Sequence, residues 1–189
     1  MLYAHTKVSR QSYIHGADHV KMKGKSIIHP KAHIRGDMAT ICIGRYCSIG
    51  MNTILRPPSY QSSIDGSSAG SSGNDVIQFL PSVIGNHTRI GNNCVIESAS
   101  IGSNVYIADN VVISKRVIIK DCCYIEEGTV IAPDTVIPPF SRVGGRPGKI
   151  RRDDDPFLIV PESIATLFEE DCKQEFSTFV EEQMEKDRR

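Results

Sequence analysis

The sequence predicts an all-β fold, a single-stranded parallel β-helix of hexapeptide repeats, closed by a C-terminal α-helix. Three observations carry this reading. Ile101, Ile107, Ile113, Ile119, Ile125, Ile131, Ile137 and Val143 recur every six residues without a break. From Ile107 onward the residue two before each is small or β-branched: Val105, Val111, Val117, Cys123, Thr129, Thr135 and Ser141. Beyond Pro161 the apolar spacing changes to that of a helix. Positions i−2 and i of a strand point to one side, so each hexad offers a large and a small inward residue. A period of six is too short for a helical repeat or a propeller blade and suits a β-helix, in which three hexads make one triangular turn. Residues 18 apart then stack, as Ile101, Ile119 and Ile137 do. Each coil covers its neighbour, so stability is close to a sum of coil–coil interfaces.

The elements follow in order. Residues 1–20 read as an N-terminal segment with no run of apolar residues that would mark a signal peptide. The β-helix is expected over 21–149. Ile28 and Ile34, then Ile43, Ile49 and Leu55, then Ile84, Ile90 and Ile96 keep the six-residue step. A five-residue step from Ile96 to Ile101 shifts the register once. Between the rungs lie turn-formers, as in IGNHTR, IGNNCV and IGSNVY. Residues 59–75, SYQSSIDGSSAGSSGND, are Ser- and Gly-rich and read as a loop thrown out from the prism. Residues 150–160, with the charged run RRDDDP, read as a linker. The helix is expected over 161–187. Ile164, Leu167, Phe168, Cys172, Phe176, Phe179, Val180 and Met184 form its stripe. Pro161 suits the first helical turn and Glu162 the positive end of the dipole. That stripe packs along the prism or plugs its end, or docks a partner.

Composition narrows the function. Lys plus Arg and Asp plus Glu both number 22, so the formal net charge is zero and no chain-wide attraction to nucleic acid is expected. No stretch approaches the roughly 20 apolar residues of a membrane helix, and a soluble intracellular protein is expected. The six cysteines include no C-x-x-C pair, which argues against a zinc ribbon. Cys47, Cys94 and Cys123 stand at the small inward position and read as small hydrophobes.

Two enzyme resemblances share the hexad pattern. The stretch IRGD at 34–37 is similar to a segment of the γ-class carbonic anhydrases, with Arg35 and Asp37 matching a pair that helps hold subunits together beside a zinc site. The resemblance puts the three zinc-binding histidines at Arg56, Asn92 and Glu97. None is histidine, and a guanidinium stays protonated and cannot ligate. Without three ligands nothing lowers the pKa of a bound water. The six histidines, His5, His15, His19, His29, His33 and His87, are scattered over the N-terminal segment and turns. The stretch VIPPFSRVGGRPGKIRR is similar to the segment that contacts coenzyme A in hexapeptide acyltransferases, with Gly145, Pro147 and Lys149 matching and Gly148 where Ala is usual. Such enzymes also need a histidine base, and the extruded loop contains none. An integrin-type use of the Arg-Gly-Asp triplet would require export.

Six short stretches together resemble a third family: KVSRQS at 7–12, IRGD at 34–37, ILRPP at 54–58, FLP at 79–81, KDCC at 120–123 and PPF at 138–140. They resemble the dynactin subunit 5 family from about Lys7 to Pro147, with the C-terminal helix poorly matched. The resemblance implies a left-handed coil and a non-catalytic subunit of the dynactin pointed-end complex, located in the cytoplasm and on the cytoskeleton. It implies dynactin subunits 6 and 4, the pointed-end actin-related protein and dynein cargo adaptors as partners, with no cofactor, no metal, no nucleic acid and no membrane insertion. Alternatives are an acyl-CoA-dependent hexapeptide acyltransferase and a degenerate carbonic-anhydrase-like protein. Projecting groups expected at partner contacts are Arg56, Pro57, Pro58, Phe79 and Phe140. Arg35 and Asp37 are expected to form a corner ion pair or a subunit contact.

Overall fold

The computed structural model describes residues 5–62, 76–151 and 160–186. Three parallel sheets form the walls of a prism. The first face has eight strands, including Ile27–Ile28, Ser48–Ile49, Arg89–Ile90, Tyr106–Ile107, Tyr124–Ile125 and Arg142–Gly144. The second holds Val20–Met22, Ile41–Ile43, Ser82–Ile84, Ser100–Ile101, Ile118–Ile119 and Val136–Ile137. The third holds Tyr13–His15, His33–Arg35, Ile54–Leu55, Val95–Ile96, Val112–Ile113 and Val130–Ile131. The register pairs Ile101 with Ile119 and Ile119 with Ile137, the stacking that the hexads imply. These rungs are 2% exposed or less, and they form one continuous core from Val20 to Val143.

The corners are as regular as the rungs. Asn104, Asn110, Arg116, Cys122, Asp134 and Phe140 all have positive φ, and Gly128 completes the series. Each lies three residues before a rung, so every hexad turns through one left-handed residue. Asn and Gly tolerate that conformation, whereas Phe140 and Arg116 bear its steric cost. The paired Cys122 and Cys123 divide two tasks: Cys122 turns the corner and Cys123 fills the small inward site.

The small inward residues also donate hydrogen bonds. Thr88 Oγ1 donates to the Gly102 carbonyl at 2.9 Å, Cys94 Sγ to Ala108 at 3.2 Å and Cys123 Sγ to Pro138 at 3.1 Å. The buried thiols therefore link successive coils as well as filling space. Burial pushes Cys47 up to about 12 and Cys123 up to about 11, which keeps both protonated and able to donate.

Three features differ from the sequence expectation. Of the expected N-terminal segment 1–20, the described residues join the β-helix: Lys7–Val8 pairs with Ile27–Ile28, and Tyr13–His15 with His33–Arg35, while 1–4 lie outside the described residues. Val8 and Ile14 keep the six-residue step, but a step of eight leads from Ile14 to the next rung, Met22, so the period is broken after two rungs. The extruded loop starts as a hairpin, with Ser59–Ser62 antiparallel to Val76–Phe79, while 63–75 lie outside the described residues. After the last coil Lys149–Ile150 folds back antiparallel on Arg142–Gly144.

The helix α1, Ile164–Lys186, lies along the outside of the first face. Phe168 stacks on Tyr106, Phe176 meets Tyr46 edge-on and Phe179 meets His29. Its packed side centres on Phe168 and Cys172, which are buried, whereas Leu167 of the expected stripe is 58% exposed. The Met184 side chain lies outside the described residues.

Candidate functional site

The Arg-Gly-Asp corner is built by close backbone approach. A Cβ on Gly36 would meet the Val20 Cγ2 at 2.5 Å, and one on Gly16, at φ +62°, would meet the Asp37 nitrogen at 2.4 Å. Neither position admits a side chain without displacing backbone. Arg35 then forks onto Asp37, with Nε and Nη2 each 2.8 Å from a carboxylate oxygen. This hydrogen bonding holds the Asp37 carboxyl below its ordinary value. Within the chain, Arg35 and Asp37 are therefore paired with each other across the corner.

One coil further on, Arg56 Nε donates to Glu97 Oε1 at 2.6 Å and Nη2 pairs with the same oxygen. The Glu97 side chain is 10% exposed and that of Arg56 45%. Asn92 accepts from the Met51 N–H at 2.8 Å and donates to Asp109 at 3.2 Å, so its amide serves the turn. The three positions aligned with zinc ligands are thus filled by an ion pair and a turn amide. Among the described residues no group of three His, Cys, Asp or Glu side chains could hold a metal ion. The next pair in this series, Arg116 with Asp134, is bidentate at 2.6 and 2.5 Å, and Arg116 Nη1 also donates to the Ser59 carbonyl at 2.9 Å.

The residues expected to project toward partners separate into two groups. Phe79 and Phe140 are 37% and 44% exposed and remain accessible. Pro57 and Pro58 are buried, which corrects their reading as projecting groups. They steer the chain from the Leu55 rung into the hairpin, and the Pro58 carbonyl accepts from Leu80 N–H at 2.9 Å. Arg56 is half exposed but committed to Glu97.

Sequence reasoning missed the ladder beneath α1. Arg89, Tyr106, Tyr124 and Arg142 stand one above another on the outside of the first face. Tyr106 and Tyr124 stack at 5.1 Å, and Arg89 and Arg142 sit over those rings at 5.6 and 5.3 Å. The signal is present in the sequence: from Ile90 to Val143 the residue immediately before every third rung is Arg or Tyr. In the middle of the covered stretch Ser48 Oγ donates to Glu175 Oε1 at 2.9 Å, with His29 Nε2 at 3.7 Å and Arg89 Nη1 3.8 Å from the other oxygen. Burial pushes the Glu175 carboxyl up, but His29, Arg89 and Ser48 together bring it below its ordinary value. Where the helix starts, Tyr124, Arg142, Val160, Ile164, Leu167 and Phe168 line an apolar groove of about 350 Å³.

A family model described as Dynactin subunit 5 matches residues 3–179. The chain belongs to the dynactin subunit 5 family. The match runs past Pro147 into α1, so the family likeness extends further than the sequence motifs indicate. Dynactin subunit 5 of Dictyostelium discoideum is 40% identical over 95 residues, covering 50% of this chain and 42% of that relative. The chain thus spans about two fifths of the length of that curated relative. Among solved structures, a hexapeptide transferase family protein from Anaplasma phagocytophilum superposes with a TM-score of 0.62 at 16% identity, covering 92% of this chain and 90% of the other. An N-acyltransferase from Bacillus cereus in complex with dTDP and coenzyme A gives 0.55 at 12% identity, covering 90% of each chain. A maltose O-acetyltransferase from Clostridium difficile gives 0.51 at 18% identity, covering 80% and 68%. These likenesses establish the fold, a left-handed parallel β-helix. The expectation of a left-handed coil, which rested on resemblance, agrees with them.

Proposed function

We propose that this chain is a structural, non-catalytic subunit of the dynactin pointed-end complex that supports dynein-dependent transport. The observation that carries the reading is the dynactin subunit 5 match over 3–179. The geometry supports it from the other side. At the coil where a γ-class hydratase carries its metal, Arg56 and Glu97 neutralise each other and leave no donor set for zinc. What remains is a rigid prism whose surfaces are its assets. One face is sealed by α1, and two faces carry outward apolar residues such as Val83 (47% exposed), Val136 (55%) and Ile54 (37%).

In this reading dynactin subunits 6 and 4, the pointed-end actin-related protein and cargo adaptors are the partners, in the cytoplasm and on the cytoskeleton. Phe79 and Phe140 are the aromatic contacts, and aromatic anchors dominate interface energetics. No cofactor takes part.

Capture of the tagged full chain from cell extract tests the proposal. Dynactin subunits at equal stoichiometry are expected, with capture reduced by Phe79→Ala. Isolation without dynactin subunits, together with acetyl transfer from acetyl-CoA, would instead establish the acyltransferase alternative, which draws on Gly145, Pro147 and Lys149.

A further inference from the structure

The net charge of zero conceals a segregation of charge. Between residues 5 and 50 the chain carries eight Lys and Arg against two carboxylates, Asp18 and Asp37. One of these carboxylates is already consumed by Arg35. The rest of the chain therefore holds the compensating excess of acid. The cations surround one end of the prism, the first two coils. Lys21, Lys23, Lys25, Lys31 and Arg45 are exposed. Of these, Lys25 donates to the Tyr46 hydroxyl at 2.8 Å and none makes an ion pair among the described residues.

The same end carries free strand edges. Lys7–Val8, Tyr13–His15 and Val20–Met22 are the terminal strands of their sheets and have a neighbour on one side alone among the described residues. At the far end Lys149–Ile150 covers the edge of the first face, while Val136–Ile137 and Val130–Ile131 end the other two sheets without a lysine on them. An unpaired edge invites another strand, and lysine on such an edge discourages pairing with a like copy. The two features together select an occupant of opposite charge. Lys21 projects outward from the Val20–Met22 edge, between two inward residues, with Lys23 and Lys25 just beyond it. An extended segment laid along this edge would take backbone hydrogen bonds from the strand and bring its alternate side chains over Lys21.

We propose that the basic first coil is a docking edge for an extended acidic segment of a partner protein, which adds a strand to Val20–Met22. This surface stands apart from the assembly reading, because the isolated chain binds the acidic segment whether or not it enters dynactin. A protein segment is favoured over a lipid surface or nucleic acid because the site combines charge with unpaired backbone groups and with exposed Val8 and Tyr13 (38% and 53%).

The test uses the full chain and a 12-residue fluorescent peptide of alternating Glu and Val, with vesicles of phosphatidylserine and phosphatidylcholine and a DNA duplex as comparison probes. Expected are micromolar peptide binding that weakens with salt, and at least a tenfold loss in the double variant Lys21→Glu, Lys23→Glu with melting temperature unchanged. Lys120→Glu, on a corner far from this end, is expected to bind as the parent does. A peptide in which Glu is replaced by Lys is expected not to bind. Absence of peptide binding, equal binding by the double variant, an equal loss in Lys120→Glu, or binding of vesicles or duplex without the peptide would each overturn the proposal.

Discussion

Ile118 and Ile119 are chemically identical neighbours on opposite sides of one wall, and replacing each with Ala separates core packing from strand propensity. Ile119 is 1% exposed and sits between the rungs Ile101 and Ile137. Removing three carbons from it forfeits about 0.8 kcal/mol each, roughly 2.4 kcal/mol of transfer free energy. The rungs above and below are held by their own coils and cannot close the gap, so a cavity term brings the total to about 3–4 kcal/mol. Ile118 points outward and is partly exposed, so its loss should cost under about 1 kcal/mol. Urea unfolding with an unchanged slope measures both, and the Ile119 variant should melt roughly 8–15 °C lower. Equal costs for the two variants, or less than about 1 kcal/mol for Ile119→Ala, would refute the stacked-rung account of stability.

Other perturbations probe single features. Arg56→Ala strands the nearly buried Glu97 carboxylate and should cost about 1–3 kcal/mol in urea unfolding, more than Glu97→Ala, which leaves a half-exposed guanidinium in water. Phe140→Asn relieves a positive φ of 56° and should raise stability by about 0.5–1 kcal/mol while weakening dynactin capture, so that fold and function move in opposite directions. Glu175 has a folded-state pKa below its ordinary 4.5, so its contribution is present above that value and lost as pH falls through the lower folded value. Protection factors over α1, corrected for the intrinsic exchange rate, should therefore fall selectively in acid, and Glu175→Gln should remove much of that pH dependence.

The core was readable because a β-helix writes its inward positions at a fixed period. Every rung from Ile84 to Val143 is marked by that period alone. The first coil is harder to read, because Val8 and Ile14 keep the six-residue step for two rungs only and the next rung, Met22, follows after a step of eight, so its strands emerge by pairing with the next coil. The sequence marks the small inward cysteines as space-fillers, but their hydrogen bonds to the next coil depend on a carbonyl 14 or 15 residues away and appear only in three dimensions. The helix was expected from its spacing. Its polar anchor was hidden, since Glu175 is one acid among many until Ser48, His29 and Arg89 converge on it. Arg56 looked like a projecting contact because the sequence could not show that Glu97, in a later coil, stacks beside it.

The most direct test of the central claim is a cryo-EM map of the assembly purified through the tagged chain. The account predicts one prism at the end of an actin-related filament, with Phe79 and Phe140 within contact distance of neighbouring subunits and protein density at the Arg56–Glu97 corner. A chain missing from the filament, or one carrying coenzyme A beside a histidine base, would contradict it.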